Sequence, residues 1–302
     1  MNNTDSHGGE IDLRELFLVL ISGKWIILSI TTIVSIIGVI YSLSLPNIYE
    51  SRALIVSSSS VNNSGSLQNY SGLASLAGID ISQNSDTNSA QAIEKLKSFS
   101  FFENYFLPNI FLPNLMALDS WNSELNTLEY DDKIYNIDTK NWIQGKQPSK
   151  QKSYDIFMGK HLNISVDNTT NFIYITIKHQ SPYVAQKWTK LLINQINIFY
   201  RTKDKNEAER ASSYLNSVLA DTKLSEIKQE IAKLLQKETQ KLTLIEAKEF
   251  YVFEFIDPPV AMEKHAEPSR SLISILAAFL GGLIGTIVVF IRHYLFTENF
   301  ES

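Results

Sequence analysis

The chain has 302 residues, 44% of them hydrophobic and 20% charged, with 27 Lys and Arg against 32 Asp and Glu for a net charge of −5. That length is ample for one large or two modest domains, so a minimal disulfide-stapled scaffold is excluded. The absence of Cys removes disulfides, thiolate metal sites and cysteine nucleophiles, and the acidic balance without a Lys/Arg cluster argues against nucleic acid as a partner.

Residues 1–24 are too few to fold as a domain. Residues 25–45 (WIILSITTIVSIIGVIYSLSL) and 271–291 (SLISILAAFLGGLIGTIVVFI) each run for 21 positions without a charged side chain. At about 1.5 Å per residue each covers roughly 31 Å, the thickness of a bilayer's hydrocarbon core, which predicts two transmembrane helices. A buried core helix would be shorter and amphipathic. A cleaved signal peptide would carry a shorter apolar run, despite the small-x-small triplet Ser42-Leu43-Ser44, and here Asp12 and Glu15 precede the run. Two crossings place residues 1–24 and the tail 292–302 on one side. The flanking charges (Lys24, Arg292 and Arg14 against Arg52, Lys264 and Arg270) barely choose which side. Residues 46–270 hold 24 of the basic and 26 of the acidic side chains, as expected of a water-soluble domain held to the membrane at both ends.

Within that domain residues 48–56 read as a strand. A Ser/Asn-rich stretch over 57–89 breaks periodicity, with a short helical insert at GLASLAGI, 72–79. Residues 90–106 place Ile93, Leu96 and Phe99 at helical spacing and stop before Pro108. Residues 107–155 read as irregular, with turns at Pro108, Pro113 and Pro148 and a few aromatic-bearing helical scraps. Leu162, Ile164 and Val166, a DNTTN turn, then Ile173, Ile175 and Ile177 predict a hairpin. Ser181 and Pro182 open a helix as N-cap and N1, with Val184, Trp188, Leu192 and Ile196 on one face. From 203 to 248 the pattern stays helical, carrying Ala208, Ala211, Leu215 and Val218, then, out of phase, Leu224, Ile227, Ile231, Leu234 and Ile245; the slip near Asp221 marks a break. Residues 250–256 alternate as a last strand, ended by Pro258 and Pro259. Strands bracketing long helices predict an α+β fold: a mixed sheet near the membrane with a helical arm extending from it.

Catalytic signatures do not emerge. There is no phosphate-cradling G-x-x-x-x-G-K-[S/T], no G-x-S-x-G (Ser75 sits at the wrong spacing), and no H-E-x-x-H among five scattered His. His161 and His179 could face one another across the hairpin ends but read as surface strand residues, and Asp131-Asp132 as a solvated pair. Asn62, Asn163 and Asn168 head glycosylation sequons that carry meaning only in a eukaryotic secretory pathway. No catalytic residue, metal site or cofactor is expected. The one motif with a physical mechanism lies in the second span. Ala277, Gly281 and Gly285 recur every four residues, beside a stripe of Ala278, Gly282 and Thr286, and small residues let helices approach closely in lipid. Gly38 and Ser42 share a face of the first span, so pairing of the spans, within or between subunits, is expected.

Taken together, IDLRELFLVLISGKWIIL entering the first span, PNIYESRALIV beyond it, GLASLAGI, SPYVAQKW and FEFIDPPV resemble the Wzz-type polysaccharide co-polymerases, regulators of lipopolysaccharide O-antigen chain length. The resemblance runs over essentially the whole chain, although DPPVAMEKHAEPSR is poorer in prolines and basic residues than the family's usual stretch. With eleven residues after Ile291, it points to the kinase-free class. It implies two transmembrane helices flanking a periplasmic α/β base domain with an extended helical arm (about residues 182–249) and location in the bacterial inner membrane. The partners it implies are further copies of the chain, a Wzy-type polymerase, lipid-linked polysaccharide and membrane lipid, with no enzymatic activity of its own. On that basis Pro46, Pro258, Pro259 and Pro268 are expected to fix the junctions between strands and spans. Ala208, Ala211, Leu215, Ile227, Ile231 and Leu234 are expected to make oligomer contacts. A two-span ligand sensor, a periplasmic export adaptor, and a regulator of enterobacterial common antigen or capsule are the alternatives.

Overall fold

The computed structural model describes residues 13–58 and 85–297. The GLASLAGI segment, Ser75 and Asn62 lie outside the described residues. The chain divides into two compact units, one comprising the residues up to Asn47 with those from Ala266 onward, the other Ile48–His265.

The first unit is helical. Helix α1 (Leu13–Ser22) is separated by Gly23 from α2 (Lys24–Ser44), and α2 packs along α9 (Arg270–Thr297). Both long helices are apolar and long enough to cross a membrane. Thr31, Thr32 and Ser35 donate their hydroxyls to carbonyls one turn back, so these polar side chains are satisfied within the helix.

The second unit is an α/β domain. Strand β1 (Tyr49–Ser57) is followed by α3 (Ser85–Leu96), the short α4 (Phe99–Phe101) with a π turn at Phe102–Phe106, and α5 (Leu112–Met116). Two small hairpins come next, β2 (Leu118–Asn122) with β3 (Thr127–Tyr130) and β4 (Tyr135–Asn136) with β5 (Asn141–Trp142). They lead to α6 (Lys150–Ile156), β6 (Leu162–Val166), β7 (Ile173–His179), α7 (Pro182–Asp221), α8 (Ser225–Ala247) and β8 (Phe253–Asp257).

The main sheet has the order β6-β7-β1-β8, and its pairings are antiparallel, where a mixed sheet was expected. Each successive partner enters from the opposite end, so no parallel crossover is needed. The β6–β7 hairpin has the register expected from alternation: Leu162 opposite Ile177, Ile164 opposite Ile175, Val166 opposite Ile173. Ser51, Ala53 and Ile55 of β1 and Ile173, Ile175 and Ile177 of β7 are buried, and α7 crosses both strands. Its buried face is Ala185, Trp188, Thr189, Leu192, Ile193 and Ile196, at the spacing of one helical stripe. Phe101, Phe102, Phe106 and Phe157 complete the core.

Three expectations need correction. The helix expected over 90–106 stops at Leu96, and Ser98 caps a new turn by accepting from the Phe101 amide at 3.3 Å. Helical structure then continues through Pro108 as a 3-10 turn (Leu107–Asn109), where the missing proline N–H lies in the first turn and costs no bond. Residues 107–155, read as irregular, contain the two small hairpins, held by ring contacts: Trp121 of the first meets Tyr49 of β1 at 5.3 Å, and Tyr135 and Trp142 meet across the second at 5.1 Å.

Candidate functional site

The closest helix contacts lie between α2 and α9. A Cβ built on Gly281 would stand 2.8 Å from Thr31 Cα, and one on Gly285 would stand 2.9 Å from Ile27 Cα. Both obstacles are backbone, so only glycine permits this approach. A Cβ on Gly38 would collide with the Cβ of Ala277, and one on Gly23 with the side chain of Val289. Gly23 with Val289, Ile27 with Gly285 and Thr31 with Gly281 give an antiparallel register, one contact every four residues. Gly282 differs: its nearest neighbour is Thr31 Oγ1 at 3.9 Å. Gly281 and Gly285 thus serve one face within a single chain, and Gly282 lies beside it.

In the α/β domain, α8 folds back on α7 after a turn at residues 222–224, forming the helical arm. The break falls where the hydrophobic phase slips near Asp221. The six arm residues divide. Ala208 is 0% exposed and Ile231 7%, while Ala211 and Leu215 are half-buried. Ile227 and Leu234 are exposed, at 47% and 52%, alongside Tyr214 and Leu224. Where the arm meets the sheet, Asn197 takes the place of a strand partner for β8. Its Oδ1 accepts from the Val252 and Phe253 amides at 2.8 and 2.9 Å, and its Nδ2 donates to Phe253 O at 2.9 Å. One turn on, Arg201 donates to the Lys248 and Glu249 carbonyls, capping the end of α8. Tyr251 donates to Asp204 Oδ2 at 2.6 Å; burial and that carboxylate both push its phenol pKa up. Lys205 pairs with Glu246 at 2.5 Å. None of Asn197, Arg201 and Asp204 stood out in the sequence, where each reads as a polar position on a long helix.

The prolines occupy different settings. Pro46 is exposed in the extended segment after α2, and Pro268 is half-buried in the segment before α9. In the α/β domain Pro258 is exposed, whereas Pro259 is buried and its carbonyl accepts from Gln186 Nε2 at 3.0 Å.

The two hairpin histidines are not surface residues. His179 is 1% exposed, and its ring packs 5.0 Å from Trp188 and 5.9 Å from His161. The Ser181 amide donates to its Nδ1 at 2.9 Å, which leaves Nε2–H to donate to Asn114 O at 3.1 Å. Ser181 stands at the N-cap position of α7 without a side-chain capping bond, and its backbone amide is the group bonded to His179. Burial lowers the pKa of His179 from 6.5 to about 4 and also lowers that of His161. Between those values the unfolded chain binds a proton that native His179 refuses, so stability falls as pH drops from 6.5 towards 4. The full loss is about 3 kcal/mol. Denaturant unfolding of the full chain in detergent at stepped pH should show that decline, and His179→Gln should reduce it to the part that His161 contributes.

Among the described residues no group of His, Asp or Glu is arranged to hold a metal ion. The family model described as Wzz, chain length determinant protein, matches residues 9–107, bearing out on that segment the resemblance drawn from its motifs. No curated protein matches the chain. A solved full-length bacterial polysaccharide co-polymerase is similar at 11% identity with a TM-score of 0.46, covering 96% of this chain and 99% of that one. A fragment of WzzB, a polysaccharide co-polymerase from Salmonella Typhimurium, is similar at 13% identity with a TM-score of 0.33, covering 73% of this chain and 100% of that one.

Proposed function

With residues 9–107 matching the Wzz chain length determinant family, we propose that this chain sets the modal length of a bacterial surface polysaccharide, lipopolysaccharide O-antigen. It does so as a non-catalytic homo-oligomer in the inner membrane, alongside a Wzy-type polymerase that extends the lipid-linked glycan. That family match is the observation that carries the reading. The anatomy supports it: two apolar helices locked at glycine contacts, and between them in sequence a 46–270 domain that this reading places in the periplasm.

The arm supports association of copies. A two-helix hairpin buries one seam, here Ala208 and Ile231, and leaves its outer faces wet unless a partner covers them. Tyr214, Ile227 and Leu234 on the two helices and Leu224 in the turn between them stay exposed, and apolar side chains of this size left uncovered on a narrow arm support a contact surface there. Neighbouring copies meeting there would place several polymerase-facing domains around one growing glycan, with Pro46, Pro258, Pro259 and Pro268 limiting how the domain moves against its spans.

Deleting the gene and separating the cell's lipopolysaccharide on a gel tests the proposal. The banded distribution with a preferred length should decay into a featureless ladder and return on complementation. An unchanged distribution would overturn the reading, and a change confined to another surface polymer would reassign the substrate.

A further inference from the structure

Helix α1 is apolar on opposite sides. Its inner side packs on α9, with Val19 7% exposed, while Phe17, Leu18 and Ile21 face outward at 63%, 59% and 49%. The outward stripe runs on at helical spacing into Trp25 and Leu28 of α2, at 70% and 56%. Next to α1 in sequence, Lys24 is exposed, and Arg292, Tyr294 and Leu295 of α9 are exposed just beyond the 271–291 window. A ten-residue helix with apolar residues on both sides does not stand alone in water.

Length decides where it goes. From Leu16 to Ser44 the two helices, broken at Gly23, cover about 44 Å of helix length, against roughly 30 Å of hydrocarbon, so the bilayer core cannot hold all of it upright. If residues 25–45 fill the core, α1 falls in the headgroup zone, where an apolar stripe bordered by lysine and arginine is stable. Gly23, with φ −88° and ψ 4°, interrupts the helix at that boundary, with Val289 against it.

We propose that α1 is a lipid-binding interfacial helix: Phe17, Leu18 and Ile21 insert at the headgroup–acyl boundary on the terminal side of the membrane, and Lys24 and Arg292 meet anionic phosphates there. Continuity with the lipid-facing surface of α2 and the bordering positive charges select lipid as the occupant. The helix thereby fixes the depth of the span pair. This rests on the membrane-spanning reading of α2 and α9.

The absence of native cysteine makes single-site probes unambiguous. The full chain carrying Phe17→Cys, Ile21→Cys, Leu28→Cys or Leu224→Cys would be labelled with an environment-sensitive fluorophore. Each is then reconstituted in vesicles of phosphatidylethanolamine and phosphatidylglycerol, with nitroxides at the headgroup or deep in the acyl chain. Positions 17 and 21 should be quenched about twofold or more by the headgroup nitroxide and less by the deep one, position 28, about 5 Å inside the core, by both, and position 224 by neither. Quenching at 28 without quenching at 17 and 21 would overturn the proposal alone, and disulfides between copies through Phe17→Cys would then identify a second chain as the occupant. Absence of quenching at 28 would instead overturn the spanning reading.

Discussion

Replacing Gly281 or Gly285 by leucine is expected to force the two spans apart, whereas the same change at Gly282 is expected to be tolerated. The difference follows from what each new side chain meets. At 281 and 285 it meets the backbone of Thr31 and Ile27 within 3 Å, which cannot rotate away; at 282 it meets a hydroxyl at 3.9 Å. Overpacking of this kind costs about 1–3 kcal/mol per site, and the two sites share one helix pair, so their effects should not add independently. Gly38→Leu, against Ala277, should behave like the first pair. Thermal unfolding of the full chain in nanodiscs reads the loss, and the polysaccharide length distribution reads its consequence. A Gly281→Leu protein as stable as wild type would show that this contact carries no packing energy, and an unchanged ladder from it would remove span packing from the control of length.

Asn197→Ala should be the most damaging single change in the α/β domain. Asn197 is 9% exposed and satisfies two amides and one carbonyl at the edge of the sheet. Truncation strands all three in a site with little room for water, at about 3–5 kcal/mol in total. Asn197→Asp separates the contributions: its carboxylate still accepts from the two amides but faces the Phe253 carbonyl without a donor. Hydrogen exchange at Val252 and Phe253 should accelerate strongly in the alanine variant and less in the aspartate variant. Because Arg201 and Tyr251 anchor the same root, loosening should spread to the end of α8. Unchanged exchange at both amides would mean that the arm is held by packing on Phe253 alone.

Much of this architecture is legible from residue order because it rests on strong local signals. Charge-free windows of bilayer length, two-residue alternation around 162–177 and the Ser-Pro start of α7 each mark their element by composition and spacing alone. The glycine stripe in the second span is legible as a close-packing face, but which of its glycines touch backbone depends on helix rotation, so Gly281 and Gly282 look alike in sequence. The hairpins between 118 and 142 escape notice because their strands are two to five residues long and rely on Tyr49 and neighbouring rings for burial. His161 and His179 mislead for a related reason: strand alternation identifies the buried face but not the indole of Trp188 that covers the strand ends. Asn197 and Arg201 act through partners some fifty residues away, which no periodicity reports.

The central claim, that the chain imposes a length without making the polymer, can be measured in isolation. Proteoliposomes containing the cognate polymerase and lipid-linked repeat units should yield a smoothly decaying length distribution on their own. Adding the purified chain should produce a peaked distribution at similar total incorporation, and the chain without polymerase should produce no polymer. A distribution that stays the same when the chain is added, or polymer formed by the chain alone, would contradict the account.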